Sequence, residues 1–174
     1  MEMIKAYGNY SATEDLVPMN IGRRELLAKD IHIDILYCGV CHSDIHSARS
    51  EWGPARYPVV PGHEIVGKVI AVGSDVAKFK VGDTVGVGCI VDSCRHCDSC
   101  DEGLEQYCEN GMTGTYGSKD KISGGHTFGG YSEKIVVDEA YVLRVQDNLD
   151  IAKAAPLLCA GITTWSPLVH WNVK

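Results

Sequence analysis

Four cysteines fall within one short stretch, Cys94, Cys97, Cys100 and Cys108, in the pattern C-x2-C-x2-C-x7-C. Zinc favours four thiolates at tetrahedral corners about 2.3 Å away, and two-residue spacers let neighbouring cysteines face one centre. Four protein ligands close the coordination sphere, so such a site holds structure together and does no chemistry. Buried or disulfide-bonded cysteines are the plainer alternative, and iron–sulfur clusters use similar spacing. Nothing else in the sequence suggests electron transfer.

A second group of residues is scattered along the chain. Cys41-His42-Ser43-Asp44-Ile45-His46, Gly62-His63-Glu64 and Cys159 together offer thiolates, imidazoles and a carboxylate. Zinc held by two cysteines and one histidine keeps a fourth position for water or substrate, the open arrangement used in catalysis. Each residue also has a plainer reading. Ser43 and Asp44 are favoured helix N-caps. Cys38 and Cys89 remain once the others are assigned and are expected to be ordinary buried thiols. Asp92 and Asp101 are expected only to solvate the cysteine loop.

The elements that must position these groups read mainly as strands. Ile31, Ile33 and Ile35 alternate with His32 and Asp34, the period-2 pattern of a half-buried strand. Residues 65–72 are almost wholly apolar, as in a strand buried on both faces. Gly73-Ser74-Asp75 and Val81-Gly82-Asp83 supply turns, the second leading into Thr84–Val87. Ile135-Val136-Val137 and Tyr141-Val142-Leu143 are expected to form a last strand pair around Asp138-Glu139. Short strands at this spacing suggest a barrel or sandwich. Residues 92–126 show no periodicity, and a loop of that length needs something to hold it. Beyond Asp150 the chain turns helical. Ile151–Ala155 favours a helix, Pro156 opens a second, and Gly161 allows a turn before a helical Thr163–Val173.

Composition narrows the function classes. The 174 residues fit one domain, and 45% hydrophobic residues suffice for a core. A formal charge of −7 without a Lys/Arg block argues against nucleic acid as a partner. No apolar stretch approaches the ~18 residues of a membrane span, and the first residues lack a signal-peptide core. The protein is therefore expected in the cytosol, where eight cysteines are metal ligands or free thiols sooner than disulfides.

Gly39-Val40-Cys41-His42-Ser43-Asp44, Pro61-Gly62-His63-Glu64, the four-cysteine run and Ala155-Pro156-Leu157-Leu158-Cys159-Ala160-Gly161 stand here in one order. In that order they resemble the zinc-dependent medium-chain alcohol dehydrogenases. Val85-Gly86-Val87-Gly88-Cys89 and Thr164-Trp165-Ser166-Pro167-Leu168 are similar to the cinnamyl alcohol dehydrogenase branch, with its microbial aldehyde reductases. The resemblance implies a mainly β (α+β) fold over residues 1–174, a GroES-like partly open β-barrel with a zinc-bound loop and short C-terminal helices. It implies two zinc ions per chain. Cys41, His63 and Cys159 would hold the catalytic one, with Glu64 beside it, and Cys94, Cys97, Cys100 and Cys108 the structural one. Ser43 would carry the substrate proton and His46 the far end of its relay. Asp44 would partner the zinc histidine, His42 would lie near the cofactor pyrophosphate, and Trp52 and Cys89 would wall the substrate pocket. The implied reaction interconverts primary alcohols and aldehydes with NADP(H).

No G-x-G-x-x-G follows a strand in these residues, and no βαβ unit occurs. Gly124-Gly125 and Gly129-Gly130 flank a hairpin-like stretch instead. The resemblance therefore leads to the expectation that the cofactor domain is missing from this chain. It would be a shortened form, a fragment or a natural half-protein, unable to hold NADP(H) alone and open to a second copy or a separate cofactor domain. The competing reading is a zinc-binding module without catalysis.

Overall fold

The computed structural model describes residues 1–174. Its strands are β1 (Glu2–Gly8), β2 (Val17–Arg23), β3 (Asp30–Cys38), β4 (Ile65–Val72), β5 (Thr84–Val87), β6 (Ile90–Asp92), β7 (Thr113–Gly114), β8 (Lys134–Asp138) and β9 (Leu143–Arg144). The helices are α1 (His42–Ala48), α2 (Asp98–Asp101), α3 (Ile151–Ala154) and α4 (Ala160–His170). Single 3-10 turns lie at Glu105–Tyr107, Glu139–Tyr141 and Ala155–Leu158.

Alternation in β3 sets the core. Ile31 and Ile33 are wholly buried and meet Ile65, Val69, Val85, Val87, Ile135, Val137 and Val142. These side chains come from one antiparallel sheet in the order β8-β3-β4-β5-β9. β1 and β2 form a separate hairpin that packs Ile4, Ala6, Met19 and Ile21 on Val60. The hairpin is tied to the chain before β8, where Tyr7 N donates to Tyr131 O at 2.8 Å and Glu133 N to Lys5 O at 3.1 Å. The buried Arg23 completes this seam, donating to the carbonyls of Lys134, Phe128 and Gly129 and to Ser132 Oγ. Edges β8 and β9 do not pair with each other, so the barrel is partly open, as the resemblance implies.

Several expectations need correction. The segments 135–137 and 141–143 do not pair. β8 bonds β3 while β9 bonds β5, at opposite edges of the sheet. The turn at Glu139–Tyr141 carries the chain across the sheet's end, with the Glu139 carboxylate accepting from Ala77 N and Lys78 N. β4 is buried on both faces only over Ile65–Gly67 and then alternates, leaving Lys68 and Ile70 exposed. The hairpin lies at 117–127, with Gly124 and Gly125 at its tip at positive φ. No turn forms at Gly161. Cys159, at φ −120° and ψ −66°, breaks the chain instead, and α4 runs through Gly161 to His170. No helix is long and apolar enough to cross a membrane.

Candidate metal centres

The first centre is assembled from three segments. Cys41 follows β3 and caps α1, and Asp44 in its first turn accepts from Cys41 N at 2.9 Å. The other Asp44 oxygen accepts from Gly62 N at 3.0 Å, and Tyr131 donates its hydroxyl to the carboxylate at 3.0 Å. One buried carboxylate thus fixes both the Cys41 and the His63 segments. Two glycines make room. Gly62 sits at φ +102°, and a Cβ on Gly39 would lie 2.0 Å from Glu64 Oε2. The break before α4 delivers Cys159, whose sulfur lies 3.8 Å from that of Cys41.

The donor atoms of Cys41, His63, Glu64 and Cys159 all lie within 4.8 Å of one another. Two thiolates on a tetrahedral zinc with bonds of about 2.3 Å stand about 3.8 Å apart, so the sulfur spacing fits the ion. His63 Nε2 and Glu64 Oε2 are buried without any hydrogen-bond partner. Such atoms are nearly always satisfied in proteins, and a metal would satisfy both. Burial pushes the His63 pKa down, against the pull of the Asp44 charge, which favours the neutral, ligating imidazole. Burial raises Glu64, helped by Asp44, and raises Cys159, helped by the neighbouring Cys89 and Cys41 thiols.

Around this centre stand the other expected residues. Ser43 Oγ lies 3.4 Å from Cys41 Sγ. His46 is held through Nδ1 by Glu51 at 2.5 Å, and its ring lies 4.7 Å from those of His42 and Trp52. His46, Trp52, Arg56 and Tyr116 line a cleft of about 300 Å³. The larger hollow, about 340 Å³ and lined by Arg23, Thr113 and His126, contains none of the expected site residues. Cys89 is exposed, not buried as expected, because it lies in the short link from β5 to β6. Its thiol neighbours Cys159 and it does not line the Trp52 cleft. Asp44 meets His63 through its charge, since its hydrogen bonds go to Cys41 N, Gly62 N and Tyr131.

Three contributors escaped the sequence reading. Tyr116 stacks on the His63 ring at 5.5 Å and 5°, Tyr131 braces Asp44, and Glu51 holds His46. Only Glu51 left a local signal, its five-residue spacing from His46 just past a helix end.

The second centre is local. Cys97 caps α2, Cys100 lies within it, and Cys108 follows the Glu105–Tyr107 turn. The donor atoms of Cys94, Cys97, Cys100 and Cys108 lie within 4.8 Å of one another, with Cys94 and Cys100 sulfurs 3.9 Å apart. Cys94 N donates to Cys108 Sγ and Glu109 N to Cys97 Sγ, each at 3.4 Å, as backbone amides do to metal thiolates. A hydrogen bond from Asn110 and another at the His96 backbone draw the Cys94 pKa down to about 5. The four cysteines are themselves the only apolar cluster of this loop. Asp92 does more than solvate it. Arg95, at φ +63°, spans Asp92 and Asp138 at 2.9 and 2.8 Å and fastens the loop to β8.

Comparison with known proteins points to one family. The sequence model described as the alcohol dehydrogenase GroES-like domain matches residues 28–147. Aldehyde reductase YahK of Escherichia coli is 61% identical over 170 residues, covering 97% of this chain and 48% of that protein. NADP-dependent alcohol dehydrogenase C 1 of Mycolicibacterium smegmatis is 60% identical over 173 residues, covering 99% of this chain and 49% of that protein. The crystal structure of CAD from Helicobacter pylori complexed with NADP(H) superposes with a TM-score of 0.96 at 48% identity, over 99% of this chain and 50% of that one. The chain thus spans about half the length of the relatives it matches. With matching sequence over 120 consecutive positions and a matching barrel, the chain belongs to the alcohol dehydrogenase GroES-like domain family.

Proposed function

We propose that residues 1–174 are the zinc-binding catalytic domain of an alcohol dehydrogenase that interconverts primary alcohols and aldehydes with NADP(H). The observation that carries this reading is the convergence of Cys41, His63, Glu64 and Cys159, from segments up to 118 residues apart, beside Ser43 and His46. Zinc held by Cys41, His63 and Cys159 would polarise the substrate oxygen as a Lewis acid, and the nicotinamide would exchange the hydride. Glu64 is a fourth donor able to yield to substrate. Ser43 Oγ takes the proton from the alcohol or returns it to the aldehyde oxygen. His46 lies one turn along α1 from Ser43, and with Nδ1 donating to Glu51 its Nε2 is the atom that exchanges that proton with solvent. His42 is the residue we assign to the cofactor phosphates. Trp52 walls the cleft, and Cys89 stands beside Cys159.

We place the nucleotide site in the half of the relatives that this chain does not match. In support, α4 buries none of its residues, and Ile162, Trp165, Leu168 and Val169 are exposed along it. A second copy of the chain is the other fit for that face. Eight cysteines, none in a disulfide, suit a reducing compartment, and we place the protein in the cytoplasm.

The test joins residues 1–174 to the second half of YahK. The joined protein should reduce aldehydes with NADPH, and Ser43→Ala should lower the rate about 100-fold or more, the usual weight of a positioned proton carrier. A joined protein that binds NADPH and metal yet reduces no aldehyde, or that keeps its rate without Ser43 Oγ, contradicts the proposal.

A further inference from the structure

We propose that Ser93 and Tyr141 form a hydrogen-bond relay that holds Cys100 as a metal ligand and sets how slowly the four-cysteine centre releases its metal. The inference rests on the reading of Cys94, Cys97, Cys100 and Cys108 as a metal site.

Ser93 is buried between the cysteine loop and the sheet. Its Oγ accepts from the Tyr141 hydroxyl at 2.7 Å and from Arg95 N at 3.2 Å, and it lies 3.3 Å from Cys100 Sγ. A hydroxyl has two acceptor positions and one proton to give. Tyr141 and Arg95 occupy both acceptor positions, so the Ser93 proton is left for the sulfur. A free Cys100 thiol would add its own proton as a third donor to the same oxygen. A metal-bound sulfur has no proton to offer and accepts the one Ser93 holds, and only then does every group in the cluster have its counterpart.

The four sulfurs are not supported alike. Cys97 and Cys108 receive backbone amides, from Glu109 and Cys94, which the loop supplies by its own course. Cys100 lies against a side-chain hydroxyl instead, which it would receive once metal-bound, and that hydroxyl is oriented from outside the loop. Tyr141 belongs to the turn after β8 and packs against the main core. Its ring carries the Arg95 guanidinium 5.2 Å above the centroid, and Arg95 in turn bridges Asp92 and Asp138. The relay Tyr141–Ser93–Cys100 therefore joins the metal loop to the rigid sheet. Partners that orient metal ligands in this way commonly change metal affinity about 10-fold to 100-fold when removed.

The experiment uses the full zinc-loaded chain, challenged with EDTA and sampled by cysteine alkylation and peptide mass spectrometry, which reports each centre separately. Ser93→Ala should expose Cys94, Cys97, Cys100 and Cys108 about 10-fold faster, with Cys41 and Cys159 unchanged. Tyr141→Phe keeps the ring under Arg95 and should accelerate the same four cysteines by a smaller factor. In the cobalt-substituted chain both variants should shift the sulfur-to-cobalt charge-transfer band, which a merely structural role would leave in place. Should Ser93→Ala fail to fold, Tyr141→Phe decides. Unchanged release and an unmoved band, or equal acceleration at both centres, overturns the relay. A wild-type chain whose four cysteines are alkylated at once, before any chelator, overturns the metal reading beneath it.

Discussion

Asp44 is the residue on which the first centre turns. Its two oxygens receive a backbone amide from each of two ligand segments and a tyrosine hydroxyl besides. Asp44→Asn keeps the shape but turns one oxygen into an amide that faces a donor. A buried donor left without an acceptor costs about 1–3 kcal/mol. The variant should therefore lose the metal at Cys41, His63 and Cys159 to a chelator at least several-fold faster, while the four-cysteine centre holds. Stopped-flow release into a zinc indicator measures this, and equal rates for variant and parent would show that Asp44 does not position the ligands. The four-cysteine run was legible in the sequence because its spacing is stereotyped, whereas Cys41, His63 and Cys159 are scattered along the chain and their assignment to one metal came only with the family resemblance. Tyr116 and Tyr131 were not legible, since a stacked ring and a bracing hydroxyl are ordinary residue types brought in from distant segments.

Among the elements, the strands that alternate cleanly, such as Ile31–Ile35, could be read directly, because burial on one face leaves a period of two. Strand neighbours could not. Tyr141-Val142-Leu143 follows closely after β8, yet β9 pairs at the far edge of the sheet, with the crossing anchored by the buried Glu139 carboxylate. Gly161 was misread because glycine permits a turn without requiring one; the actual break is at Cys159, which no residue type announces. The segment 92–126, expected as an irregular loop in need of a holder, contains α2, β7 and the 117–127 hairpin. Its apolar cluster consists of the cysteines alone, so the ion would take the place of a hydrophobic core. Cys97→Ser should open the loop to trypsin at Arg95 while β3 and β4 stay protected. Limited proteolysis followed by mass analysis checks this, and a loop as resistant as the parent's would remove the structural role.

For the molecule as a whole, two seams hold the open barrel, one of apolar packing on Val60 and one of hydrogen bonds. Arg23 belongs to the second. Burial without a carboxylate partner in contact pushes its pKa down to about 9, and it spends its donors on three carbonyls and a serine. Arg23→Ala would strand those acceptors, and we expect a loss of about 3 kcal/mol or more in chemical denaturation. A shift within ~0.5 kcal/mol, the range of ordinary surface substitutions, would mean that the hairpin is held by Ile4, Met19 and Ile21 packing alone.

Two metal sites of different construction would share this fold, one closed within fifteen residues and one gathered from both ends of the chain. Metal analysis of the purified chain tests this most directly, set beside Cys159→Ser and Cys97→Ser. The parent chain should hold two zinc ions and each variant one, with mild chelation stripping the Cys41–His63–Cys159 site first, because its ligands rely on long-range packing and on an α4 that buries none of its residues. Iron in place of zinc, a single zinc in the parent, or two zinc ions retained in Cys159→Ser would contradict it.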